Sequence, residues 1–388
     1  MRVLLTGLPI RSHLVPALVP MANALRRAGH EVAIATGGAM RAELERLGVP
    51  VLVLPEVLAP EEIQPETIGM PQEQLRGWCP ELSGPISVPL FHEGMTATFT
   101  ANLLDVAEPW RPDVIVRETN EYGGFLAAEI LGAELAVLDI APLIVRLVPD
   151  LVKRLNVVRA KFGLPAIASL APAYGRIVAG LLPESWYPQG SRTSRHRCYR
   201  LPDQSGDPLD ASIAELPADA PLVLMSLGSN VRTLLSAESR LLTIAAEALG
   251  RLPIRAVVAL GHDPAAWTGP RPANVCFVPY VQQQLLLGAC DVFLTHAGFS
   301  GIREALSRGV PMTALPLFAD QPANAARVEE LGAGIQVDTA GLTPDKLASA
   351  LSQVMDKPSC RLAARGLQRQ ILALPSLDRF AADLEGLR

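Results

Sequence analysis

"VFLTHAGFSGIREALSRGVPMTALPLFADQPANA", Val292–Ala325, holds two strand-to-helix turns in succession. The short run "VFLT" ends in the small residues of "HAGFSG", and a charged helical pattern follows over Ser300–Arg308. "PMTALP" then reads as a second strand, and "ADQP" opens another helix over Gln321–Leu331. Strands alternating with helices in this way make βαβ units and a parallel sheet. One histidine, His296, is left on the lip of the first strand, facing Gly298, Ser300 and Gly301. A glycine-rich turn that opens a helix brings backbone N–H groups and a positive dipole end to one spot, which suits a phosphate.

The same alternation runs outward in both directions. Towards the N-terminus of this half, "LVLMSLGSN", "IRAVVALG" and "VCFVPY" predict strands, with helices at about Glu238–Gly250 and Gln283–Ala289. A helix over Thr343–Met355 follows on the other side. The first half repeats the pattern. "RVLLTG" leads to a helix near Leu14–Ala28, then come "HEVAIAT", a helix at Ala39–Leu47 and "VPVLVLP". Later "DVIVRE", a helix near Gly123–Leu131 and "LAVLDI" continue it. Around residue 200 the pattern lapses into a Pro-, Asp- and Ser-rich linker.

The fold class is therefore α/β, with two doubly wound Rossmann-like domains facing each other across a cleft. An N-terminal domain is expected over residues 1–200, a linker over 201–218 and a second domain over 219–372. A terminal segment, 373–388, would close the chain. Ligands of such sheets bind at the C-terminal ends of the strands. Two segments break the alternation. Pro55–Phe91 is a loop with seven prolines, and Ala141–Pro188 reads as apolar short helices. Both are expected to form a binding surface.

Bulk composition removes several classes of function. The chain has 388 residues, 49% of them hydrophobic, and a net charge of -5. A nucleic-acid partner would need a basic stripe, and the one dense basic cluster, "SRTSRHRCYRL" at Ser191–Leu201, reads as a solvated loop. No run approaches the ~18 uncharged apolar residues of a membrane span. The five cysteines, 79, 198, 276, 290 and 360, form no CxxC pattern. The expectation is a soluble, reduced, cytoplasmic protein.

Polar residues collect at the strand ends of the second half: "LGSN" after "LVLMS", "YVQQQ" after "FVP", then "HAGFSG" and "LFADQPANA". The spacing matches neither the dinucleotide fingerprint nor a P-loop. From Pro279 to Ala325 the segments "YVQQQLLL", "THAGFSGIREAL", "RGVPMTALP" and "ADQPANA" resemble, in order and spacing, the nucleotide-sugar motif of the UDP-glycosyltransferase family of GT-B glycosyltransferases, which includes bacterial natural-product enzymes. "GLPIRSHLVPALVPMANALRRAGHEVAIAT" resembles the family's opening Gly-His-x-x-Pro element. "PSLDRFAADLEGLR" resembles the terminal helix that in the family crosses back to the first domain.

By position, the resemblance implies that His296 binds the diphosphate with Gly298, Ser300, Gly301 and Ser229. Tyr280 would stack on the base where the family has tryptophan, which leans towards dTDP-deoxysugar donors, and the backbone of Val281 would read the base edge. Glu304 would hold the ribose, and Asp320 and Gln321 the transferred sugar. Gln282 and Gly301 depart from the family's proline and its Ser or Thr, and Ser300 is placed to supply the lost hydroxyl. Asp320 also reads as an ordinary helix cap.

Glycosyl transfer with inversion needs a base to take the proton of the acceptor hydroxyl. His13 lies in the family's base position, and an imidazole suits that task near neutral pH. Glu118 is the positional match for the carboxylate that orients it, with Glu121 and Asp105 as alternatives. His30 and His92 read as structural. No metal-ligand cluster and no Asp-x-Asp is present, so neither metal nor cofactor is expected beyond a UDP- or dTDP-sugar donor. The expected acceptor is a small, fairly apolar natural-product aglycone, joined through a hydroxyl or a carbon. A nucleotide-sugar 2-epimerase, or an auxiliary protein of a partner transferase, would share this architecture.

Overall fold

The computed structural model describes residues 1–59, 62, 93–143, 148, 150–189, 192–203, 208–228 and 240–386. The described residues of Met1–Met70, Pro89–Pro202 and Leu374–Arg388 form one unit, and those of Asp203–Ala373 form a second. Almost all of the proline-rich segment Pro55–Phe91, together with Ser229, Cys79 and His92, lies outside the described residues.

In the first unit, β1 (Arg2–Thr6), β2 (Glu31–Gly37), β3 (Val51–Leu54), β4 (Val114–Glu118), β5 (Glu134–Asp139), β6 (Ile177–Gly180) and β7 (His196–Cys198) line up in the order β3-β2-β1-β4-β5-β6-β7. β1 pairs in parallel with β2 on one side and β4 on the other. A parallel sheet is covered on both faces, so its strands read as continuous apolar runs. Val3, Leu4 and Leu5 are accordingly fully buried. The chain leaves β1 towards β3, then returns to build β4 to β7 on the other side. The β1/β4 boundary is thus the point where the winding reverses, and a crevice opens there beyond the strand ends.

The second unit repeats the plan. β8 (Leu222–Ser226), β9 (Arg255–Ala259), β10 (Val275–Val278), β11 (Val292–Thr295), β12 (Met312–Ala314) and β13 (Gly334–Gln336) run in the order β10-β9-β8-β11-β12-β13. Here the winding reverses between β8 and β11, whose Ser226 and Thr295 are register partners. Helix Phe299–Arg308 buries Ile302, Ala305 and Leu306, and Gly309 ends it at φ +69°, a left-handed conformation that favours glycine.

Two expectations are corrected, and one helix is added to them. The segment read as short apolar helices holds helix Leu151–Lys161, but also strand β6, all four residues of which are buried. Its β-branched "RIV" run is bounded by Gly175, at φ +60° against the Leu135 carbonyl, and by Pro183, which limits it to strand length. The basic cluster is not simply a solvated loop. His196–Cys198 pairs in parallel with β6, and Tyr199 behind it is fully buried. The 18-residue helix Glu93–Trp110, absent from the sequence reading, covers the first sheet with Phe99, Leu103 and Ala107.

The C-terminal helix Leu377–Glu385 packs on helix Val19–Arg27 of the first unit. Tyr199 donates to Asp383 at 2.8 Å, and Arg200 donates its N–H to the Pro375 carbonyl at 2.8 Å. No helix among the described residues is long and apolar enough to cross a membrane.

Candidate functional site

Each switch point carries a histidine. In the first unit His13 closes a single turn, Arg11–His13, just beyond β1. Its Nδ1 lies 3.2 Å from Glu118 Oε1. Glu118 ends β4 and is completely buried, so it is not a surface charge at a strand end. Its other oxygen accepts the Asn120 N–H at 2.6 Å. A buried carboxylate needs such partners, and here they hold it in one orientation. The contact through Nδ1 leaves Nε2 as the nitrogen that can meet a substrate.

The alternative carboxylates stand elsewhere. Asp105 is exposed on its helix. Glu121 is buried, accepting from Thr6 Oγ1 at 2.5 Å and from the Gly124 N–H at 2.8 Å. Burial raises its carboxyl to about 7, against the opposing pull of those hydrogen bonds and of Arg117. Side chains at Gly123 or Gly124 would collide with this carboxyl, which explains the glycine pair. Arg117 is buried as well. It donates to the carbonyls of Glu118, Thr119 and Glu121 at 2.8–3.0 Å and to that of Ala173, pinning the loop that carries the two glutamates.

In the second unit His296 follows β11 and leans on glycine. A Cβ at Gly298 would meet His296 Nε2, and one at Gly228, which sits at φ +75°, would approach His296 Cε1 to 2.6 Å. The imidazole fits because both neighbours lack side chains. Burial pushes it down to about 4, with the Ser226 backbone pulling weakly the other way. It is therefore neutral at pH 7 and offers an N–H dipole rather than a full positive charge. Gly298 is the N-cap of helix Phe299–Arg308 and supplies no side-chain cap, and no acidic residue stands in the first turn. Its first-turn N–H groups, including those of Ser300 and Gly301, are thus the positive feature of this corner.

Two non-glycine residues adopt left-handed backbone here, Ala297 at φ 64° and Ala319 at φ 53°. Each such residue costs about 1–2 kcal/mol. Asn324, fully buried, joins the two turns: its Nδ2 donates to the Ala297 carbonyl at 3.1 Å and to Asp320 Oδ2 at 2.8 Å. Asp320 is the N-cap of helix Gln321–Glu330, but its side chain makes no capping bond. Gln321 is buried, its Oε1 accepting from the N–H groups of Leu317 and Phe318, so its amide nitrogen is the end left for a ligand.

Tyr280 is 55% exposed and Val281 is buried. An exposed aromatic beyond a strand end is available as a stacking platform. Glu304 is buried, accepts from Gln283 Nε2 at 2.7 Å, and lies 3.6 Å from Arg303. Desolvation raises its carboxyl, and Arg303 and Gln283 oppose the shift. Thr6, Arg117, Gln283 and Asn324 escaped the sequence reading. Only Arg117, a charge inside the apolar run "DVIVRE", left a visible signal. Among the described residues no group of His, Cys, Asp and Glu is placed to hold a metal ion.

The chain as a whole is similar to known proteins. Residues 208–369 match the family model "UDP-glucoronosyl and UDP-glucosyl transferase". The whole chain aligns, at 26% identity, with 99% of 4'-demethylrebeccamycin synthase from Lentzea aerocolonigenes. It aligns equally well, at 26% identity, with 97% of 10-deoxymethynolide desosaminyltransferase from Streptomyces venezuelae. Among solved structures, spinosyn forosaminyltransferase SpnP superposes with a TM-score of 0.78 at 26% identity, covering 100% of this chain and 99% of that one. The chain is a glycosyltransferase of the GT-B fold. Within that class, its residues 208–369 are similar to the UDP-glucuronosyl and UDP-glucosyl transferase family, and the two full-length relatives named here are bacterial natural-product glycosyltransferases.

Proposed function

We propose that the protein moves a sugar from a UDP- or dTDP-linked donor to a hydroxyl, or a carbon, of a small and fairly apolar natural-product aglycone, with inversion at the anomeric carbon. The observation that carries this reading is the His13–Glu118 pair at the switch point of the first sheet. His13 Nε2 takes the acceptor proton while the acceptor oxygen bonds to the anomeric carbon. The bond from that carbon to the diphosphate oxygen breaks, and its electron pair stays on the departing diphosphate. Glu118 stabilises the imidazolium, which returns its proton to solvent. The names of the two aligned relatives, a synthase of 4'-demethylrebeccamycin and a desosaminyltransferase of 10-deoxymethynolide, support an aglycone acceptor.

On the second unit, His296 and the first-turn N–H groups of helix Phe299–Arg308 bind the diphosphate, together with Ser229. Tyr280 stacks on the base, Glu304 holds the ribose, and Asp320 with Gln321 holds the sugar. The helix terminus and the His296 N–H offset the leaving charge without a metal.

Calorimetry with UDP and dTDP, followed by a donor-by-acceptor turnover panel, tests the proposal. The anomeric configuration of each product is read by NMR, and each reaction is run with and without EDTA. An inverted product whose formation ignores EDTA is expected. Retention of configuration, or interconversion of the donor sugar without any acceptor, would sink it.

A further inference from the structure

The helix that follows His13 is not regular. Val19 donates its N–H to the Leu14 carbonyl, five residues back, so Leu14–Leu18 forms a π turn between Arg11–His13 and helix Val19–Arg27. Its sequence, "LVPAL", contains Pro16, and Pro20 stands four residues further on. In an α-helical register Pro20 would have no N–H for the Pro16 carbonyl and its ring would collide with it. A wider turn removes that conflict. We propose that this π turn, imposed by Pro16 and Pro20, is the device that positions His13 against Glu118; the proposal rests on the reading of His13 as the base.

The packing on either side leaves His13 to absorb the extra residue. Downstream, Met21, Ala22 and Leu25 are completely buried and lock the helix into the core. Within the turn, Leu14 and Leu18 are also completely buried and clasp Gly7, just beyond β1. A Cβ on Gly7 would lie 2.8 Å from Leu14 Cδ2, 3.0 Å from Leu18 Cδ2 and 3.4 Å from Glu118 Cγ. The π turn therefore packs at the spot where Glu118 stands. A π turn holds one residue more than an α turn. Without it, residues ahead of the turn would rotate by about 100° and shift by about 1.5 Å relative to helix Val19–Arg27. A shift of that size exceeds what a 3.2 Å contact tolerates. Pro16 and Pro20 are positioning residues and touch no substrate.

The test uses the full-length protein in three forms: Pro20→Ala, Pro16→Ala/Pro20→Ala, and a deletion of Val15, each with and without Glu118→Gln. Calorimetric binding of UDP or dTDP should be unchanged, whereas kcat falls roughly 100-fold, the scale for a misplaced base. Adding Glu118→Gln should then cost nothing more, and the His13 ring resonances, followed by NMR, should no longer respond to Glu118→Gln. A structural role alone would lower the melting temperature and leave that coupling intact. Wild-type kcat together with an intact His13–Glu118 coupling in the deletion and in the double variant would overturn the proposal. Pro20→Ala keeps the chain length and supplies the readout should the other two fail to fold. The NMR coupling is readable without turnover. A wild-type protein that transfers no sugar would therefore refute the functional reading while leaving the positioning question decided.

Discussion

The two switch points answer the same topological position with opposite chemistry. At the boundary of β1 and β4 a histidine meets a buried carboxylate, and at the boundary of β8 and β11 a histidine meets two glycines. His13 has Glu118 3.2 Å from Nδ1, which leaves Nε2 as the nitrogen free to face a substrate. His296 is pressed between Gly228 and Gly298, and burial holds it near 4, so it stays neutral. One imidazole is oriented by a buried carboxylate, and the other fits where two glycines leave room for it. The fold supplies the position, and the neighbour across the crevice decides the role.

The largest expected effect separates the two. His13→Ala should lower kcat roughly 1,000-fold while nucleotide binding stays within about twofold, because it removes proton transfer alone. His296→Ala should do the reverse, weakening UDP or dTDP binding roughly tenfold or more, the scale of a hydrogen bond to a charged group. Steady-state kinetics paired with calorimetry reads both. Equal losses of kcat and affinity in the two variants would erase the distinction. Glu118→Gln comes next, at roughly 100-fold in kcat. The amide can donate to His13 Nδ1 and so place the ring proton on Nε2, where it blocks acceptance of another. Nucleotide affinity should again stay unchanged.

Much of this was legible because it is local. The strand-end motifs place His13, His296 and Glu304 by short spacings, and helix Gly123–Leu131 forms over the residues its pattern marked. Strand lips in parallel sheets must carry turns, so polar residues collected there are visible as such. What was not legible depends on partners distant in sequence. Asn324 bridges to Ala297 across 27 residues, and Thr6 to Glu121 across 115. Nothing near either residue announces the bond. Whether Glu118, Glu121 or Asp105 faced His13 was undecided from spacing, because all three lie near one another in sequence, and only the fold puts Glu118 at the end of β4, Glu121 in the loop after it and Asp105 on the exposed side of a helix. Helix Glu93–Trp110 carried Phe99, Leu103 and Ala107 at helical intervals, yet it follows a run of prolines and contains Pro109, which masked it. Pro16 and Pro20 were visible, but their effect on the helix phase appears only once both flanks are packed.

The glycine side of the comparison can be probed more gently. Gly298→Ala puts a methyl against His296 Nε2, at the far end of a side chain that can swing aside. The expected result is a nucleotide affinity reduced roughly fivefold to tenfold, with a melting temperature close to wild type, since the local strain is about 1 kcal/mol. Gly228→Ala meets the same ring and in addition occupies φ +75°, so it should also lower the melting temperature. If Gly298→Ala left affinity unchanged, the imidazole would not depend on its cradle.

The smallest effect concerns the carboxyl beneath the first switch point. Glu121 stands near 7 in the folded protein and at 4.5 when exposed. Between those values the folded state holds a proton that the unfolded state has released, so this group's contribution is fully present below 4.5 and is lost as pH rises through 7. From pH 6 to pH 7 the loss from Glu121 is about 1 kcal/mol. Asp139, raised by burial to about 7, acts in the same direction. His196, lowered to about 4, opposes them only below its unfolded value of 6.5. Hydrogen exchange of β1 and β4 peptides at pH 6 and pH 7, corrected for the intrinsic pH dependence of exchange, should show the first sheet less protected at the higher pH. Glu121→Gln keeps an acceptor for Gly124 and a donor for Thr6 while removing the titration, so it should clearly reduce that difference. An unchanged difference in the variant would mean that the charge of Glu121 does not respond to this range.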